Sequence, residues 1–70
     1  MMETARLGID GMTCQGCVAS VTRVLKALPG VKDVDVSLQT RSASVSYDPA
    51  RTGVPAMRIA IEDAGYGVEG

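Results

Sequence analysis

Residues 31–48 read VKDVDVSLQTRSASVSYD. Val34, Val36 and Leu38 alternate with polar neighbours, and Ala43, Val45 and Tyr47 do the same beyond the polar break Gln39-Thr40-Arg41. Strand side chains point to opposite faces in turn, so each run presents one apolar and one polar face. Two such runs across a short polar break predict a β-hairpin. The break lacks Asn-Gly, so the pattern leaves the turn type open. A hairpin of this kind needs a sheet with one buried face and one wet face. The rest of the chain must supply the cover.

Upstream, ARLGID at residues 5–10 alternates through Leu7 and Ile9, with Arg6 and Asp10 outside. This reads as a strand that Gly11 ends. From about Gln15 to Leu28 the period changes. Cys17, Val21, Leu25 (or Val24) and Leu28 recur at spacings of three and four, while Ser20, Arg23 and Lys26 point elsewhere. That stripe predicts an amphipathic helix, closed by Pro29-Gly30.

Downstream, Asp48-Pro49 stops the sheet, and Pro55 suits the first turn of a second helix, where its missing N–H costs nothing. Met57, Ala60, Ile61 and Ala64 form the apolar stripe of that helix, with Gly65 placed for a left-handed cap. Tyr66 to Val68 reads as a short last strand. The order strand, helix, strand, strand, helix, strand predicts an α+β fold, the ferredoxin-like βαββαβ sandwich. Its four-stranded antiparallel sheet carries both helices on one face. Arg6, Ser42, Ser44 and Ser46 make the other face polar.

The chain has 70 residues, one domain's worth near the lower size limit, where folding hides roughly 60% of the unfolded surface. It has no Phe or Trp, so the core must be aliphatic. A net charge of −1, with basic residues scattered among acids, excludes the basic stripe of a nucleic-acid binder. Arg23 and Lys26 can share a helix face, which reads as a solvated flank, with docking to a small acidic protein surface as the alternative. No stretch reaches the roughly 18 apolar residues of a membrane span. MMETARLGID lacks the apolar run of a signal peptide, so a cytoplasmic location is expected. There thiols stay reduced, and a cysteine pair points to metal or redox chemistry.

The pair lies in GMTCQGC, residues 11–17, and the chain has no other cysteine and no histidine. The predicted strand–loop–helix places Cys14 before the helix and Cys17 in its first turn. Unpaired N–H groups and the helix dipole favour thiolates at that end. Structural zinc wants four ligands and catalytic zinc three, which this chain supplies only by recruiting carboxylates. Asp10 is near in sequence but leaves the strand end facing away. A thioredoxin-like redox centre also begins a helix with CxxC, yet neither a preceding Trp nor a suitable proline is present. A soft monovalent ion, Cu(I) or Ag(I), prefers thiolates and accepts two of them. For that cargo the pair is complete. Without histidine the usual general base is missing, so an enzyme is not expected.

GMTCQGC, followed by VASVTRVLKALPGV, VDVSL, ASVSYDP and IEDAGY, resembles the heavy-metal-associated domain over about residues 6–69. Small copper chaperones, metal-binding domains of copper-transporting P-type ATPases and a periplasmic mercury-binding protein share it. The resemblance implies a Cu(I) carrier in which Cys14 and Cys17 bind the ion and pass it to a partner's CxxC through shared thiolates. The implied partner is a copper-transporting ATPase domain or a copper-sensing repressor. Monomers are implied without metal, and a copper-bridged dimer is a further implied state.

Thr13 stands where zinc-type members tend to carry Asp, which disfavours Zn(II). Hg(II)-binding members share GMTC but resemble exported proteins. Met12 matches a methionine that packs beneath the loop. Tyr66 matches a position beside the metal loop, as a shield or as a hydrogen-bond donor to a cysteine. The first and last residues suit a free chaperone, and an excised ATPase domain would look the same. A thiol oxidoreductase is the rival from another class.

Overall fold

In the computed structural model, which describes residues 2–69, the elements are β1 (Glu3–Asp10), α1 (Gln15–Lys26), β2 (Val31–Ser37), β3 (Ser42–Tyr47), α2 (Val54–Asp63) and β4 (Gly67–Glu69). The strands form one antiparallel sheet in the order β2-β3-β1-β4. This is the ferredoxin-like sandwich that the alternation and helical periods predict. No helix among the described residues is long and apolar enough to cross a membrane.

Both central strands bury alternate residues. Ala5, Leu7 and Ile9 of β1 and Ala43, Val45 and Tyr47 of β3 face the helices. The opposite face carries Arg6 across from Ser44, and Gly8 across from Ser42. Helix α1 meets this layer with Val21 and Leu25, and α2 with Met57 and Ile61; all four are completely buried. Each such side chain contributes about 1.5–3 kcal/mol relative to exposure. Met12, between β1 and α1, joins the same core at 5% exposure.

Several boundaries differ from the sequence reading. Helix α1 stops at Lys26 and not at Leu28, because a residue preceding proline is driven out of the α region. Leu28 still closes a tight last turn, its N–H donating to the Leu25 carbonyl at 3.1 Å. Strand β1 begins at Glu3, two residues early, since Tyr47 and Ser46 of β3 offer ladder partners to Glu3 and Thr4. Strand β4 begins at Gly67, one residue late. Ala64, assigned to the apolar stripe of α2, is exposed at the C-cap of that helix.

Strand β2 also holds a register shift between Val31, opposite Tyr47, and Asp33, opposite Ser46. Strict alternation would put Val31 on the wet face, opposite to Val34 and Val36. The extra residue, Lys32, returns Val31 to the core side, where it packs against the cluster. The hairpin turn ends on Arg41, the one non-glycine residue with positive φ (53°) among those described. That conformation costs about 1–2 kcal/mol. Its carbonyl accepts the Ile9 N–H at 2.7 Å, which ties the turn to β1 just before the cysteine loop.

Candidate metal centre

The cysteine loop runs from the end of β1 to the start of α1. Gly11 takes φ +97°, a left-handed conformation that side chains resist, and so turns the chain out of the sheet. Asp10 sits opposite Gly67 on the wet face, exposed and turned away from the core side, as the alternation predicts. Cys14 is the N-cap of α1, in extended conformation, and no side chain caps this helix end. Its carbonyl accepts the N–H of Cys17 at 3.1 Å and of Val18 at 3.3 Å, which fixes the first turn.

This brings the two sulfurs to 3.5 Å from each other, with Cys14 exposed and Cys17 half-buried. Both are free thiols, far beyond the roughly 2.05 Å of a disulfide bond. The Thr13 hydroxyl lies 4.0 Å from the Cys17 sulfur. No group of three or more His, Cys, Asp or Glu comes together among the described residues.

The Cys17 pKa falls from 9.0 to about 6. The main cause is the backbone N–H of Thr13, followed by the Tyr66 phenol and the Cys14 thiol, all of which favour the thiolate; partial burial opposes them. Tyr66 moves the other way. Its pKa is raised, chiefly by the Cys17 side chain and then by partial burial. Near neutral pH Cys17 is therefore a thiolate, the form that binds soft metals. The first thiolate should appear on titration of the reduced protein with a midpoint near pH 6, followed by ultraviolet absorbance. Tyr66→Phe should move that midpoint upward by removing one donor. Below the midpoint protons compete for the sulfur, so metal affinity should fall as the pH drops through it.

The residues singled out by sequence are thus mostly together. Cys14, Cys17 and Thr13 lie together at the start of α1, the Tyr66 ring lies against Gly11 of the same loop, and Met12 is buried in the core. Sequence reading missed two features. The backbone N–H of Thr13 carries no residue-type signal. Ser20, assigned to the outward flank, is half-buried and donates to the Gly16 carbonyl at 3.1 Å. Its spacing of three from Cys17 places it on the same helix face, and that was the available signal.

The fold and the exposed dithiol at a helix start define a small metal-binding module. Residues 6–67 match the model of the heavy-metal-associated domain. The chain belongs to this family. It is 47% identical over 60 residues to the copper-exporting P-type ATPase of Bacillus subtilis, covering 86% of this chain and 8% of that protein. It is 42% identical over 64 residues to the mercuric transport protein periplasmic component of Pseudomonas fluorescens, covering 91% of this chain and 70% of that one. The CopZ metallochaperone superposes with a TM-score of 0.93 at 37% identity, over 96% of this chain and all of that one. The chain therefore spans a small part of the ATPase and over two thirds of the mercuric protein.

Proposed function

We propose that this domain carries Cu(I) between the thiolates of Cys14 and Cys17 and passes it to the metal-binding domain of a copper-transporting P-type ATPase. One domain with its core at about residues 6–69 does this, as a carrier rather than an enzyme, in the cytoplasm. The observation that carries the reading is the donor set: two thiols 3.5 Å apart at an open helix end, with no third His, Cys, Asp or Glu gathered to them among the described residues. Thiolates select soft ions, and two of them leave a zinc ion short of ligands.

The same donor set suits Ag(I) and Hg(II). The likeness to a copper-exporting ATPase and to a metallochaperone favours copper as the cargo, while the likeness to the mercuric protein keeps mercury as the second reading. Exposure of Cys14 suits handover, because an incoming thiolate can reach the ion before an original one leaves. A copper-responsive repressor with exposed thiols would be a second acceptor by the same chemistry.

The test is transfer. Cu(I)-loaded protein is mixed anaerobically with the apo metal-binding domain of a copper-transporting ATPase, and the two are separated and assayed for metal. Copper should redistribute within the mixing time. Copper that stays on this chain for hours, or Hg(II) that exchanges while Cu(I) does not, would overturn the copper-carrier reading.

A further inference from the structure

We propose that Gly16 is a positioning residue for copper handover: by lacking a side chain, it keeps one side of the Cys14 sulfur open to an incoming thiolate. The proposal rests on the reading of Cys14 and Cys17 as the ligand pair. Gly16 lies in the first turn of α1 and is exposed. Glycine weakens a helix relative to alanine, because it loses more backbone freedom on folding. One ordinary reason for a glycine is a left-handed backbone, as at Gly11, Gly30 and Gly65, and Gly16 has no positive φ. Another is close approach by a different part of the chain. Beyond its chain neighbours and the backbone of its own helix, a β-carbon on Gly16 would find one described atom within 4 Å, the Cys14 sulfur at 3.6 Å.

That distance is ordinary contact, so an alanine fits without strain and its methyl would rest on the sulfur. For the fold alone, alanine is the better residue here. What it would take away is the open space beside Cys14. The two sulfurs differ in this respect. Successive helix residues are turned about 100° from each other, so a side chain at position 16 does not face Cys17, which follows it. Cys17 is also half-buried against the core cluster, whereas Cys14 is exposed at the helix cap. Cys14 is therefore the sulfur beside which a partner's thiolate has room. In the handover a new thiolate–copper bond forms on that side and the Cys14–copper bond then breaks, with copper remaining Cu(I) throughout. A side chain at position 16 stands in this approach. It slows exchange and leaves both ligand sulfurs, and so the affinity, in place.

The first arm of the test uses the reduced, metal-free protein, so that its outcome is independent of copper binding. Iodoacetamide and its bulkier N-phenyl analogue share one reacting carbon. The ratio of their rates at a given sulfur therefore cancels the thiolate fraction and reports the room beside that sulfur. Each rate is followed by peptide mass. In Gly16→Val the bulky-to-small ratio at Cys14 should fall about fivefold or more, the rate equivalent of forcing extra methyl groups against a close neighbour. Gly16→Ala should lower the ratio by a smaller factor while raising the melting temperature. At Cys17 both variants should keep the wild-type ratio. In the second arm, Cu(I) affinity against a chelator should stay constant, while transfer to an apo ATPase metal-binding domain slows from wild type to Gly16→Ala to Gly16→Val. An unchanged Cys14 ratio in both variants, or an equal fall at both sulfurs, would overturn the proposal. So would transfer from loaded Gly16→Val at the wild-type rate. If the wild-type chain takes up no Cu(I), the carrier reading fails, and the proposal for handover falls with it whatever the alkylation ratios.

Discussion

Cys14→Ser or Cys17→Ser abolishes tight Cu(I) binding and leaves the fold in place. A hydroxyl is a hard, neutral donor, and the remaining thiolate is a single ligand with nothing nearby to complete the site among the described residues. The expected loss is at least about a thousandfold in affinity, about 4 kcal/mol. Neither thiol is needed by the core, because Cys14 is exposed and Cys17 only borders the buried cluster. Unfolding midpoints should therefore move by about 0.5 kcal/mol for Cys14→Ser, as for other surface changes, and somewhat more for Cys17→Ser. Competition against a Cu(I) chelator gives the first quantity and denaturant melts give the second. Retained affinity in either variant would contradict a two-thiolate site.

Met12→Ala has the opposite signature. Met12 is 5% exposed and packs into the core beneath the loop, so truncation should cost about 2–5 kcal/mol. For a domain of this size each kcal/mol lowers the melting temperature by about 4–8 °C, so the whole effect is a large fraction of total stability. Met12→Leu removes the sulfur at nearly constant volume and should cost less than about 1.5 kcal/mol. Its Cu(I) affinity should match the wild type. A large loss of affinity in a stable Met12→Leu protein would make the thioether a ligand after all.

The fold was legible because every element carries its own period. Ala43, Val45 and Tyr47 alternate without interruption, and Val21 and Leu25 sit one helical turn apart between polar residues. What the pattern concealed lies where one element answers to another. Val31 reaches the core only through the bulge at Lys32, visible only once β3 sets the register. The early start of β1 depends on ladder partners and not on an apolar signal at Glu3 or Thr4. Arg41 occupies a left-handed position that composition assigns to Gly or Asn, so the turn could not be typed from its residues.

The site divides the same way. Cys14 and Cys17 were legible from GMTCQGC alone, since the chain offers no other soft donors apart from its methionines. Their separation, and the share of the Thr13 N–H in making Cys17 a thiolate, come from the backbone path around Gly11. Tyr66 is far from the pair in sequence, and only the family resemblance linked them. Ser20 looked like solvent-facing polarity, yet it is half-buried and bonded to the Gly16 carbonyl.

The most direct test of the two-thiolate reading is an anaerobic titration of the reduced protein with Cu(I) and with Zn(II), each against a competing chelator, with masses read by native mass spectrometry. The account predicts Cu(I) binding far tighter than Zn(II), lost in either cysteine variant, and the same spectra show whether loaded chains pair. Weak Cu(I) binding beside a readily reversible Cys14–Cys17 disulfide, or zinc that outcompetes copper, would contradict it.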